Sequence, residues 1–231
     1  MGFWRRFSRN RSAVLGLIIL ILVLFMATIA GLIYPEDPFR LAGKPLSGPG
    51  LNGFLLGSDS LGRDVASGIA HGAKTSLLIG LIATLAAVFI GIIFGAFSGY
   101  YGGKVDDILM RTTEVFQTIP SFVFAILLVA IMKPSIESIV IAITVVSWPG
   151  VARLVRAEFL SLKNREFVQA CHTLGMSDMR IMLREILPNC LSPIIVIGSL
   201  MVATAILIES GLAFLGLGDP NIMSWGFQIG A

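Results

Sequence analysis

Glu209 is the only carboxylate in the apolar run from 191 to 217. It stands about 18 residues into that run, near the far end of a helix rising 1.5 Å per residue. A carboxylate inside hydrocarbon is a functional candidate, because an ionisable group is costly to keep there. It serves equally well as an interface group bonded to a neighbouring helix or to water. Gly216-Leu217-Gly218-Asp219 fits the G-x-G-D string of aspartyl proteolysis within membranes, a chemistry that needs two carboxylates in one site. No Tyr-Asp pair lies in an earlier apolar run, and Asp219 falls beyond the end of its own, so an intramembrane hydrolase is a remote alternative. His71 and His172 are too far apart in the topology below to share a ligand, and Cys171 and Cys190 define neither a disulfide framework nor a metal site. The chain has no H-E-x-x-H, no G-x-S-x-G and no Walker A loop. We therefore expect no catalytic residue, no metal and no cofactor, and any energy from ATP has to enter through another subunit.

The elements that position these groups are membrane helices. Only 13% of the 231 residues are charged, 55% are hydrophobic, and mean hydropathy is +0.88. Soluble domains carry about 25% charged residues, so lipid has to cover much of this surface. The net charge of +3 is too small to suggest nucleic acid. Crossing hydrocarbon takes about 20 apolar residues. Such runs occupy 14–33, 75–101, 119–132 (short, and expected to extend backward through the amphipathic stretch from Asp106), 136–152 with a bend at Trp148-Pro149-Gly150, and 191–217. This predicts an all-α membrane protein with five transmembrane helices. With the N-terminus inside, the inner segments hold Arg5, Arg6, Arg9, Arg11, Lys104, Arg111, Arg153, Arg156, Lys163, Arg165, Arg180 and Arg184. Only Arg40, Lys44, Arg63, Lys74 and Lys133 fall outside, which fits the positive-inside rule. Residues 1–33 also carry the Arg-rich and apolar regions of a signal peptide, but the apolar run is longer than the usual roughly 7–15 residues and no A-x-A site follows.

Three regions result: 1–34, an interfacial elbow and first anchor; 35–74, an extracytoplasmic loop rich in Pro and Gly; and 75–231, the core, with a cytoplasmic loop at 153–189. In the elbow, Phe3, Trp4 and Phe7 alternate with Arg5, Arg6, Arg9 and Arg11, a pattern suited to lipid headgroups. Gly91, Gly95 and Gly99 form a stripe that lets helices pack closely.

The loop 153–189 is the most informative segment. Phe167, Ala170, Cys171 and Leu174 recur at helical spacing, as do Met179, Met182, Leu183 and Ile186. Gly175 allows a turn between the two helices, Ser177 is placed to cap the second, and Pro188 is expected to end it. Each apolar face needs a partner, and the pattern leaves docking onto another protein and packing on the chain's own helices both open. The spacing of Cys171, Gly175 and Ile181 also fits a helix-turn-helix. Tethering to the bilayer and the acids Asp178 and Glu185 on the second helix argue against DNA binding and against a membrane-tethered regulator.

The stretch Glu166-Phe-Val-Gln-Ala-Cys-His-Thr-Leu-Gly175, with Ile186-Leu-Pro-Asn189, resembles the "EAA" loop of ABC importer permeases. Gln169 stands where Glu is usual, Cys171 replaces the second Ala, and Ile186 lies one place late, while Gly175 and Pro188 keep their spacing. Phe3-Trp-Arg-Arg-Phe7, Leu56-Gly-Ser-Asp-Ser-Leu-Gly-Arg-Asp-Val65, Gly99-Tyr-Tyr-Gly-Gly103, Phe214-Leu-Gly-Leu-Gly218 and Ser224-Trp-Gly226 are similar to C-type subunits of the dipeptide, oligopeptide and nickel permeases. The resemblance runs the length of the chain. It implies the type I ABC importer fold, with six spans in the family against five here, the last apparently missing. It also implies transport of di- or oligopeptides, with nickel or a nickel complex as the alternative. The implied partners are a B-type permease subunit, two ATPase subunits that bind the ATP, an extracytoplasmic solute-binding protein and membrane lipid, but no nucleic acid. Glu166, Phe167, Gln169, Ala170, Cys171, Leu174, Gly175, Ser177 and Pro188 become the expected ATPase-coupling loop, and Glu209 a possible membrane-embedded polar site.

Overall fold

A computed structural model describes residues 7–51 and 53–231. Phe3, Trp4, Arg5 and Arg6 of the expected elbow lie outside the described residues. Among the described residues the regular structure is helical, with one isolated antiparallel bridge between Ser58 and Asp64. Four helices are long and apolar enough to cross a membrane, or five if one sharply bent pair is counted as a single span.

Helix α1 spans Arg11–Ile33. It starts three residues before the apolar run because the Asn10 side chain accepts the Ala13 N–H at 3.2 Å, an N-cap. Most of its leucines and isoleucines are exposed, a surface that suits hydrocarbon and not water.

Helix α2, Val65–Tyr101, has 37 residues and so is roughly 55 Å long, well beyond the roughly 30 Å of hydrocarbon. Its first turns take up residues 65–74, assigned from the sequence to the extracytoplasmic loop. Asp64 caps it by accepting the Ala66 N–H at 2.9 Å.

The third expected span is not one straight helix. It divides into α3, Gly103–Gln117, and α4, Ser121–Met132, bent by 80°. Pro120 supplies no N–H and drives Ile119 away from helical backbone angles. The charges Lys104, Asp106, Asp107, Arg111 and Glu114 make α3 amphipathic, unlike α4.

Helix α5, Ile136–Leu162, opens on a reciprocal cap between Ser135 and Ser138 and runs uninterrupted past Trp148-Pro149-Gly150, where the sequence suggested a bend. Packing holds it there: Trp148 lies against the rings of Phe94, at 4.6 Å, and Phe116, at 5.3 Å. The helix also extends through 153–162, so the connecting loop is shorter than expected.

Two short helices follow, α6 (Glu166–Thr173) and α7 (Asp178–Ile181). A π-turn, Met182–Ile186, leads into α8, Leu187–Leu212. Pro188 therefore ends nothing. Leu187 donates to the Met182 carbonyl five residues back, and this wide turn admits the proline that follows it. A second π-turn, Ala213–Leu217, contains Gly216 at φ +78°, and α9 spans Trp225–Gly230.

The chain divides into two compact units, Met1–Leu78 with Ala213–Ala231, and Ile79–Leu212. In the first, the 57–64 loop is built around a buried ion pair, Arg63 Nε to Asp59 Oδ2 at 2.6 Å. Burial pushes the Asp59 carboxyl up, but hydrogen bonds from the Arg63 and Leu61 N–H groups and from the guanidinium outweigh it and hold the group below the usual carboxylate range. The guanidinium also lies over the Phe227 ring of α9, at 5.2 Å. Trp225 Nε1 donates to the Ile69 carbonyl at 3.0 Å, which ties α9 to the start of α2.

In the second unit the glycine stripe of α2 packs directly on α5. A Cβ at Gly91 would lie 2.5 Å from Val151 Cβ, one at Gly95 would collide with the Ala152 carbonyl oxygen, and one at Gly99 would lie 2.6 Å from Phe159 Cβ. The buried core beside this contact is Ala96, Val151, Val155 and Phe159, joined by Val168, Ile181, Met182, Ile186, Cys190 and Ile194.

Candidate functional site

The α6–α7 loop is fixed to its own unit along one side and open along the other. Val168, Ile181, Met182 and Ile186 are fully or almost fully buried against α5 and α2. On the opposite side Phe167, Leu174, Met179 and Leu183 are exposed, Leu174 at 80%. Of the face expected from spacing in α6, only Cys171 packs on the core, and it does so half-buried. The inward anchor is Val168, which the sequence reading missed because a helix this short offers no second turn to fix its phase. In the second segment the expected face is split: Met182 and Ile186 point in, while Met179 and Leu183 point out.

Gly175 sets the angle between the segments. Its φ is +73°, a left-handed conformation that favours glycine. The Met176 N–H donates to the Cys171 carbonyl at 3.1 Å and the Gly175 N–H to that of His172 at 3.0 Å, the pair of bonds that closes a helix on a left-handed residue. Ser177 occupies the cap position of α7, but its side chain makes no capping bond. Glu166, Gln169 and Ala170 are exposed on α6, with Gln169 Nε2 donating to the Asn164 carbonyl at 3.2 Å. Pro188 is exposed. Residues 166–177 thus share one loop.

Glu209 does not belong to it. It lies 22 residues along α8 from Leu187, roughly 33 Å at helical rise. It is 1% exposed, with Ser210 Oγ at 3.5 Å from Oε2.

Several polar residues that sequence reasoning did not single out tie the loop to the helices. Arg156 of α5 makes two hydrogen bonds to Asp106 of α3, each 2.6 Å, and Ser98 of α2 donates to Asp106 Oδ1 at 2.5 Å. Tyr100 Oη donates to Asp178 Oδ1 at 2.8 Å and lies 3.5 Å from His172 Nε2. Lys163 Nζ reaches the Tyr100 carbonyl at 3.5 Å. One local signal was available: Asp106 follows the helix-breaking Gly102-Gly103 pair at the start of an amphipathic helix. Mechanically, the arrangement offers a partner an apolar, exposed loop face whose reverse side is locked into the membrane helices.

Over residues 87–229 the sequence matches the family described as binding-protein-dependent transport system inner membrane component. Over 2–47 it matches the N-terminal TM domain of oligopeptide transport permease C. It is 40% identical over 224 residues to the dipeptide transport system permease protein DppC of Bacillus subtilis, covering 96% of this chain and 70% of that protein. It is 42% identical over 225 residues to the oligopeptide transport system permease protein OppC of Haemophilus influenzae, covering 96% and 72%. Among solved structures, the inward-facing MetNI methionine ABC transporter superposes with a TM-score of 0.58 at 16% identity, over 67% of this chain and 77% of that one, a likeness of fold. The protein is an all-helical, multi-pass inner-membrane transport component with the type I ABC importer permease fold, and it belongs to the family of binding-protein-dependent transport system inner membrane components.

Proposed function

We propose that this chain is the C-type permease subunit of an ATP-driven importer of di- and oligopeptides. The observation that carries the reading is its 40% identity, over 96% of its length, to a dipeptide transport system permease protein. The relatives described above are dipeptide and oligopeptide systems, which favours peptides over nickel. The chain works with a B-type permease, two ATPase subunits and an extracytoplasmic binding protein. ATP closes the ATPase pair, the pair moves the α6–α7 loop, and the helices anchored to that loop change the side to which the path opens. Phe167, Leu174 and Met179 supply the apolar contact with the ATPase, and Gly175 sets the loop's shape. The loop is cytoplasmic and the N-terminus lies on the same side, as the Lys and Arg distribution supports.

Reconstitution of the four kinds of subunit in proteoliposomes tests this. ATP-dependent uptake of an isotope-labelled mixture of di- to pentapeptides, lost when the binding protein is left out, is the expected result. Uptake of nickel and not of peptide would overturn the substrate assignment, and labelling of a cysteine placed at Ser177 from the outer side would overturn the orientation.

A further inference from the structure

Three consecutive residues at the end of α2 each reach a different element. Ser98 donates to Asp106 of α3. Gly99 lies against Arg156 and Phe159 of α5. Tyr100 reaches the loop, and it does so on both sides of Gly175: its hydroxyl donates to Asp178 at the start of α7, and its ring stacks on His172 near the end of α6, with centroids 6.4 Å apart. Its own backbone carbonyl takes the Lys163 ammonium from the segment between α5 and α6. The remaining anchors of the loop are apolar and non-directional: Val168, Ile181, Met182 and Ile186 in the core. Such contacts resist separation of the loop from the helices, but they define its angle poorly. A hydroxyl–carboxylate bond with a stacked ring is directional. It fixes where both loop helices point relative to the end of α2.

We propose that Tyr100 is a positioning residue for energy coupling: through Asp178 and His172 it transmits movement of the α6–α7 loop to α2. This rests on the importer reading above. Loss of the hydroxyl leaves the apolar anchors in place, so the loop still docks, but part of its displacement is absorbed by a change of angle and not delivered to the helix. The signature is therefore wasted ATP, which a purely structural role would not produce.

The experiment uses the complete reconstituted complex and reads ATP hydrolysed per peptide carried, with the labelled di- to pentapeptide mixture. Tyr100→Phe keeps the ring and removes the bond. The ratio is expected to rise roughly threefold, the scale of one partly exposed hydrogen bond. Asp178→Ala should give a similar rise, and the double variant no more than either alone. Asp178→Asn keeps an acceptor oxygen and should stay near wild type. Asp178 is exposed, so Asp178→Ala tests the same bond if Tyr100→Phe does not assemble. An unchanged ratio in Tyr100→Phe and Asp178→Ala, even with slower uptake, overturns the inference, as do additive effects in the double variant. A wild-type complex that carries no peptide overturns the importer reading itself, and this inference with it.

Discussion

Arg156 holds Asp106 with two arms of its guanidinium, Nε to Oδ1 and Nη2 to Oδ2, both at 2.6 Å and across 50 residues of sequence. The pair joins α5 to α3 just before the 80° bend into α4, and Ser98 of α2 joins it. A planar fork is what makes the two parallel bonds possible, so lysine is not an equivalent replacement.

Asp106→Ala and Arg156→Ala should each lower the thermal stability of the detergent-solubilised protein. The double variant should lose less than the sum, with an interaction energy of about 1 kcal/mol, because Arg156 is only partly buried. Thermal unfolding of the four members of the cycle measures it, and strict additivity would remove the pair from the account of stability.

The glycine stripe gives a prediction with an internal control. Gly95→Ala places a methyl group against the backbone carbonyl of Ala152 and 2.6 Å from Val155 Cβ, neither of which is the movable end of a flexible side chain. A cost of about 1–3 kcal/mol is expected. Gly16→Ala and Gly31→Ala in α1 meet nothing within 4 Å and should be neutral or slightly stabilising. Equal melting temperatures for all three variants would contradict the close α2–α5 approach.

At Gly175 the restriction is conformational and not steric. Nothing lies within 4 Å of an added Cβ, yet φ is +73°. Asn tolerates the left-handed region and a β-branched residue does not. Gly175→Asn should keep much of the peptide uptake and Gly175→Val should lose most of it, with both chains still inserted and detectable in the membrane fraction. If Asn were as damaging as Val, crowding by the docked partner would be the better explanation.

Asp59 makes stability depend on acid. Its folded-state carboxyl titrates below the unfolded value of about 3.9. The stabilisation is therefore complete above that value and is lost as pH falls through the folded one. Asp59→Asn should be less stable at neutral pH, and it should show a shallower decline in melting temperature between about pH 4 and pH 2 than wild type. Parallel pH profiles would rule out this carboxylate as the source.

How much of this was legible in the sequence divides along physical lines. Apolar runs located α1, α2, α5 and α8, because a membrane-crossing helix has to be apolar along most of its length. Their ends were less visible. Helices α2 and α5 continue past the hydrocarbon on polar residues such as Lys74 and Arg156, where hydropathy falls but backbone hydrogen bonding continues. The 80° break was hidden because Thr118-Ile119 reads as ordinary sequence until Pro120 is given its effect on the residue before it. The loop at Gly175 was found from punctuation and resemblance. Its attachments, Tyr100 to Asp178 and Arg156 to Asp106, join residues far apart in the chain and leave no local pattern.

The wide turn at Met182–Ile186 shifts the phase of everything after it. A π-turn holds one residue more than an α-turn, so α8 is rotated by about 100° from where an unbroken helix begun at Asp178 would set it. The buried residues record the slip: Ile181 and Met182 are adjacent, and after them burial recurs every four residues, at Ile186, Cys190 and Ile194. Deleting one residue from this turn would straighten the ladder and swing the carboxylate of Glu209 away from the side on which it is now enclosed.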